Sequence, residues 1–77
     1  MKQITVDLHG MEVLEAEAYM NSLLKKLSKD VDEIVVIHGF NNGNRLANWL
    51  RKKYSNKKIA QKILTMNNGV TILKIRN

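Results

Sequence analysis

Several residue types are missing from this chain, and each absence narrows what it can be. There is no cysteine and no proline among the 77 residues. The lack of cysteine excludes disulfides and thiolate metal sites, so folding depends on an apolar core. No apolar stretch approaches the roughly 20 residues of a membrane-spanning helix, and the N-terminus lacks the apolar segment of a signal peptide. We therefore expect one small domain over residues 1–77, cytoplasmic and without a membrane partner.

Acidic residues are also missing, but only from the second half of the chain. Residues 1–33 carry four lysines against seven acidic residues, whereas residues 34–77 carry nine basic residues and no acidic one. The formal net charge is +6. A surface that only keeps a protein in solution usually mixes both signs. The asymmetry therefore predicts a polyanionic partner, RNA or DNA.

The hydrophobic pattern of the first half changes its period at Gly10. Residues 4–8 alternate between apolar and polar types, which predicts a half-buried strand. Over residues 11–28, apolar residues recur every three or four positions, which predicts an amphipathic helix. The acidic stretch at residues 30–33 is expected to be the loop that leaves this helix.

The second half begins with a β-branched run at residues 34–37, which is typical of a strand buried on both faces. Residues 38–43 are expected to form a loop, because glycine and asparagine tolerate left-handed backbone. A second helix is expected over residues 44–54, followed by a basic turn at 55–58. The buried stripe of this helix consists of Leu46, Leu50 and Tyr54.

Residues 59–64 could extend a helix, but we interpret them as a strand. Asn68-Gly69 looks like the two-residue turn of a hairpin, and residues 70–75 would be its second strand. The element order is then β-α-β-α-β-β. With right-handed crossovers and strand order 1-2-4-3, the expected fold is an α/β (α+β) two-layer sandwich. It has a four-stranded mixed sheet with both helices on one face.

Two of the predicted strands end in the same way, with His9-Gly10 and His38-Gly39, which contain both histidines of the chain. Open α/β sheets bind ligands at the carboxyl ends of their parallel strands, and neighbouring strands lie about 4.8 Å apart. Each His-Gly also leads towards a predicted helix N-terminus, where free N–H groups favour anions. We therefore expect one shared site for a phosphate group.

Asp7 lies two residues before His9 and therefore points to the same face of the strand. Asp7 could orient and charge-stabilise His9 as a general base or acid for phosphodiester cleavage. Alternatively, the two could bind a divalent metal such as Mg²⁺ or Mn²⁺, although two ligands are few. In a third interpretation each histidine hydrogen-bonds a nearby carbonyl and holds its turn. The sequence therefore assigns no metal site and leaves the cofactor unknown.

At these residues the sequence resembles the small MutS-related (Smr) domain family. An LDLHG-like motif after the first strand matches residues 6–11, an HGxG-type motif matches residues 37–43, and a GVTI-like last strand matches residues 68–72. The second glycine of HGxG is Asn41 here, and the threonine that often follows the first motif is Glu12, a weaker helix cap. The resemblance covers nearly the whole chain, with the motifs in order.

The resemblance implies a nucleic-acid endonuclease that cleaves RNA or nicks DNA. It implies that Asp7 and His9 take part in cleavage, and that the second motif binds substrate. Together with the basic residues that follow, we expect the nucleic-acid-binding residues to be Gly10, His38, Gly39, Asn41, Asn42, Gly43, Arg45, Arg51, Lys52 and Lys53.

Two other functions stay open at this point. A non-catalytic RNA- or DNA-binding module would use the same basic surface, and a small-molecule phosphate enzyme would use the same strand ends. Trp49 and Tyr54 could stack on bases, although aromatics at helical spacing are more often core residues.

Overall fold

The computed structural model describes residues 1–40 and 43–76. Within them the chain forms four strands and two helices, the second of which continues into a π-helical segment. The order is β1 (Lys2–Asp7), α1 (Val13–Lys25), β2 (Val31–Ile37), α2 (Arg45–Asn48), the π-helical segment (Trp49–Lys53), β3 (Ile59–Leu64) and β4 (Val70–Ile75). No helix in this described part is long and apolar enough to cross a membrane.

The strands pair in the predicted order, β1-β2-β4-β3. β1 and β2 are parallel, and β4 is antiparallel to both of its neighbours. Val6 pairs with Val36 and Ile34 with Leu73, and all four are buried. The helix residues that pack on this layer are Ala16, Met20, Leu24 and Leu50. The two-layer sandwich with both helices on one sheet face is thus confirmed.

α1 is shorter than the predicted range of residues 11–28. Gly10, at φ 82°, turns the chain before the helix begins. Glu12 occupies the N-cap, and its backbone N–H donates to the Glu15 carboxylate at 3.0 Å. This bond satisfies an N–H group that the first turn of a helix would otherwise leave free. The cap therefore forms with Glu12 in the position where the family often has threonine.

β2 begins earlier than predicted, because residues 31–33 belong to the strand and not to a loop. Their charges are compatible with a strand because they bond to β1. The Lys2 backbone N–H donates to the Asp32 carboxylate at 2.9 Å, and the Gln3 side-chain amide donates to the Glu33 carboxylate at 2.9 Å. Cross-strand polar contacts of this kind stabilise a sheet edge without apolar burial.

The prediction that residues 34–37 are buried on both faces was wrong. Ile34 and Val36 are fully buried beneath the helices. Val35 and Ile37 point to the opposite face and are half-buried. The β-branched run therefore reflects one covered face and one partly exposed face.

The second helix is not the regular helix predicted for residues 44–54. After Asn48 the backbone widens, and the Tyr54 N–H bonds to the Trp49 carbonyl five residues earlier at 2.7 Å. This spacing brings the Trp49 and Tyr54 rings together, with centroids 4.8 Å apart. Both rings are buried, and the Tyr54 hydroxyl donates to the Asn21 side chain at 2.7 Å. They are core residues and not surfaces for base stacking.

β3 is a strand as predicted, but the hairpin turn is longer than Asn68-Gly69. Residues 65–69 connect β3 to β4, and Gly69 lacks the positive φ that a type I′ turn requires. Side chains close the loop instead. The Asn67 N–H donates to the Thr65 hydroxyl at 3.1 Å, and the Gly69 N–H donates to the Asn67 side chain at 2.8 Å.

A buried hydrogen-bond chain ties the end of β2 to β4 and to the π-helical segment. His38 is 4% exposed, with Nδ1 3.1 Å from the Gly39 carbonyl oxygen and Nε2 2.9 Å from Thr71 Oγ1. Arg51 Nε donates to the same hydroxyl at 2.8 Å. All of these bonds are satisfied when Nδ1 carries the ring proton, because Thr71 then accepts from Arg51 and donates to Nε2.

Burial lowers the pKa of His38, because the charged imidazolium loses its hydration. The bond to the Gly39 carbonyl opposes this effect, and the positive charge of Arg51 adds to it. The folded protein therefore favours a neutral His38, whereas the unfolded chain has the ordinary histidine pKa of about 6.5.

We expect the free energy of unfolding to decrease on acidification from about pH 7.5 to about pH 5.5. In this range the unfolded chain protonates His38 more readily than the folded protein does. The slope from one such group is at most about 1.4 kcal/mol per pH unit. Urea unfolding at a series of pH values measures it.

The two histidines provide a matched control for this prediction. His38→Gln should lose the His38 contribution to the slope, whereas His9→Gln should keep it. An unfolding free energy that does not change over the range, or an equal slope in His38→Gln, would contradict the prediction.

Candidate functional site

The carboxyl ends of the two parallel strands meet at one edge of the sheet, as predicted. The Leu8 N–H donates to the Ile37 carbonyl at 2.7 Å, just beyond the last paired residues. Gly39 then turns away at φ 78°, and a Cβ at this position would lie 3.3 Å from His9 Cβ. The two His-Gly sequences are therefore in direct contact, and Gly39 leaves the room that His9 occupies.

Asp7 and His9 form an exposed, hydrogen-bonded pair at the end of β1. Asp7 Oδ1 lies 2.6 Å from His9 Nδ1 and accepts the His9 backbone N–H at 3.0 Å. The Asp7 side chain is 51% exposed and that of His9 is 69% exposed. The hydrogen bonds from His9 lower the pKa of Asp7, so this carboxyl stays ionised and holds a proton on Nδ1. The Nε2 atom of His9 has no hydrogen bond within the described residues.

An open cleft of about 510 Å³ lies beside this pair. Three chain segments line it: the turn after β1, the end of β2 with its following loop, and the start of α2. The lining residues are His9, Gly10, Met11, Glu12, Ile37, His38, Gly39, Phe40, Gly43, Arg45 and Leu46. His9 thus faces the cleft, with Asp7 bonded to its ring.

The structure brings five of the expected binding residues to the cleft and leaves others elsewhere. Gly10, His38, Gly39, Gly43 and Arg45 all line it. His38 does so as a buried residue whose two ring nitrogens bond within the protein.

Three expected basic binding residues lie outside the cleft. Arg51 is half-buried and reaches the Val70 carbonyl at 3.4 Å as well as Thr71. Lys52 and Lys53 are exposed at the end of the π-helical segment. Two further expected residues, Asn41 and Asn42, are outside the described residues.

Two residues of this region were missed by the sequence reasoning. Thr71 is fully buried and joins His38 to Arg51, but nothing in the sequence distinguishes it from any strand threonine. Phe40 lines the cleft and is 51% exposed. A signal for Phe40 was present, because a large apolar residue stands between the glycines of a polar loop.

Metal ligands are few at this site. Residues 1–40 and 43–76 contain no group of three or more histidine, cysteine, aspartate or glutamate side chains placed to hold a metal ion. Asp7 and His9 offer two donors that are already bonded to each other. Any divalent ion here would therefore take most of its ligands from water or from a bound phosphate.

Comparison with known proteins gives a family and a fold. The family model of the Smr domain matches residues 6–76. The crystal structure of the Smr domain of Thermus thermophilus MutS2 superimposes with a TM-score of 0.80, at 22% sequence identity and over 100% of each chain. No curated protein sequence matches the chain. Because the family model spans nearly all of its residues, the chain belongs to the Smr domain family.

Proposed function

We propose that this domain binds RNA or DNA and cleaves its phosphodiester backbone with Asp7 and His9. The observation that carries the proposal is the 2.6 Å bond between the two side chains at the edge of an open cleft. Smr domains generally bind nucleic acid, and some members are nucleases. The excess of positive charge after residue 33 supports a polyanionic substrate.

His9 Nε2 is the atom that accepts the proton of the attacking group. As a general base it takes the proton from the attacking hydroxyl, a ribose 2′-hydroxyl or a water molecule, while that oxygen bonds to phosphorus. Asp7 accepts the Nδ1–H, so it fixes the tautomer that leaves Nε2 unprotonated. Its negative charge also stabilises the imidazolium that forms. As the new bond to phosphorus forms, the bond to the leaving oxygen breaks, and that oxygen takes up a proton from solvent water. The His9 imidazolium then returns its proton to solvent, which restores the base.

Arg45 is the charged residue of the cleft that suits the phosphate. Arg45 lines the cleft, and its side chain has no hydrogen bond or ion pair within the described residues, so the guanidinium is available to a phosphate oxygen. Gly43 lies in the same lining and presents backbone close to the ligand. Lys52 and Lys53 extend the positive surface beyond the cleft.

Binding without cleavage is the second candidate function. His38 and Arg51 both hydrogen-bond to Thr71 within the fold, so neither is free to stabilise the negative charge of a transition state beside His9. This arrangement favours binding without cleavage. Both functions use the same cleft, so a cleavage assay separates them.

We expect His9→Ala to abolish cleavage while binding persists. Loss of a general base typically costs about 10²- to 10⁴-fold in rate. Asp7→Asn should also lower the rate, because the amide keeps an acceptor oxygen but loses the charge that supports the imidazolium. The assay uses structured RNA, single-stranded RNA and DNA, each with Mg²⁺, with Mn²⁺ and with chelator.

Glu17→Gln is the matched control, since Glu17 is an exposed carboxylate on α1 away from the cleft. It should cleave at the wild-type rate. Cleavage by His9→Ala at the wild-type rate, after removal of contaminating nuclease, would remove His9 from the mechanism. Binding with no product from the wild-type protein under every condition would establish the binding module instead.

A second prediction concerns the dependence of affinity on salt. The logarithm of the binding constant should fall linearly with the logarithm of salt concentration, and Arg45→Ala should reduce the slope by about 0.7–0.9. Lys2→Ala is the control, because Lys2 bonds to Asp30 in the acidic half of the chain. Titrations over a range of salt measure both slopes, and salt-independent affinity would refute binding to the phosphate backbone.

A further inference from the structure

The four aromatic side chains of the chain differ in exposure and in their position relative to the cleft. Trp49 and Tyr54 are buried in the core, so their faces cannot reach a ligand. Tyr19 is 45% exposed but lies on α1 and does not line the cleft. Phe40 is 51% exposed and does line it.

The exposed position of Phe40 is poorly explained by stability. A phenyl ring contributes to folding in proportion to the area it removes from water, and half of Phe40 stays in water. Its backbone is nevertheless fixed on both sides. The Gly39 N–H donates to the Gly69 carbonyl at 3.1 Å, and the Phe40 carbonyl accepts the Gly43 N–H at 3.2 Å. The loop therefore holds the Phe40 backbone at the cleft, and Phe40 is part of the cleft lining.

The remaining lining has the composition of a nucleotide site. Met11 and Leu46 are half-buried and add apolar surface beside Phe40. Arg45 contributes a positive charge and Glu12 a negative one, so a phosphate is favoured near Arg45. The volume of about 510 Å³ is within the range of about 300–1,000 Å³ of small-ligand sites.

We propose that Phe40 stacks on an unpaired nucleobase beside the phosphate in the cleft. The substrate class is therefore single-stranded nucleic acid, or an unpaired loop within a folded one. A base inside a duplex has both faces covered by its neighbours, so the ring can contact only a base that is unstacked. This inference rests on the proposed nucleic-acid binding.

The test compares three oligonucleotides of the same length: a single strand, a duplex, and a single strand with abasic sites. Fluorescence anisotropy gives the affinity for each. Phe40→Ala weakens binding to the single strand by about 5- to 150-fold, the effect of losing one base–aromatic stack. Duplex binding changes by less than about 2-fold, because the stack contributes nothing there. Phe40→Trp keeps the single-strand affinity.

The abasic strand separates stacking from any other effect of the substitution. Wild-type protein binds it weakly, and Phe40→Ala causes no further loss. Tyr19→Ala, which removes the other exposed aromatic, leaves all three affinities unchanged. Phe40→Leu keeps an apolar side chain without a ring, and it shows the same selective loss as Phe40→Ala. Circular dichroism confirms that each variant is folded.

The outcomes distinguish this inference from the proposed function. If Phe40→Ala binds the single strand as the wild type does, or loses affinity equally for all three oligonucleotides, stacking is overturned and nucleic-acid binding stands. If the wild-type protein binds none of them, the proposed function fails and the inference fails with it.

Discussion

One carbonyl oxygen, that of Gly69, holds the site together. It accepts the backbone N–H groups of His38 at 2.9 Å and Gly39 at 3.1 Å. The 65–69 loop thereby closes over the end of β2, where a strand would otherwise leave free N–H groups. A Cβ at Gly69 would lie 3.4 Å from Gly39 Cα, so the two backbones are in van der Waals contact. The placement of Gly39 against His9, and with it the cleft, depends on this contact.

The closure of the 65–69 loop over the end of β2 also makes the two histidines chemically different. His38 lies beneath the 65–69 loop, where burial and the positive charge of Arg51 lower its pKa, and where the Gly39 carbonyl and Thr71 bond to its two ring nitrogens. His9 lies outside it, where Asp7 occupies only Nδ1 and water reaches the rest of the ring. A buried polar network rigidifies its surroundings when every member is satisfied. The buried histidine thus shapes the cleft, and the exposed histidine is available for proton transfer.

The sequence was sufficient for the topology and for the prediction that the ends of β1 and β2 lie together. Periodicity predicted β1 and α1, a β-branched run predicted β2, and Asn68-Gly69 led to the hairpin of β3 and β4. The repeated His-Gly predicted that the ends of β1 and β2 meet. The sequence pattern did not predict the local structure where contacts with distant residues determine it. Residues 31–33 resemble a loop until Lys2 and Gln3 of β1 bond to them. The π-helical segment, which brings the Trp49 and Tyr54 rings together, was not predicted either, because the 3.6-residue period assumes a regular helix.

The number of basic residues can be counted from the sequence, but the sequence does not show which of them have partners within the protein. Several of the nine basic residues after residue 33 have partners in the protein. Arg51, Lys58, Lys62 and Arg76 donate to carbonyl oxygens, and Lys74 pairs with Glu33. Among the basic residues after residue 33 that the structure describes, four have side chains with no hydrogen bond or ion pair: Arg45, Lys52, Lys53 and Lys57. A cation that must leave an internal partner gains less from a phosphate than a free one does.

This small set of free cations limits how much affinity the phosphate backbone can supply. Each phosphate contact adds one step of salt-dependent, sequence-independent binding, and Arg45 is the one free cation among the described residues that lines the cleft. A domain with few such contacts needs another source of affinity at the cleft. Contact with a base supplies it without further charge, because every base has an apolar face. Phe40 and Arg45 both line the cleft, so under the proposed function the cation binds the phosphate and the exposed ring contacts the base.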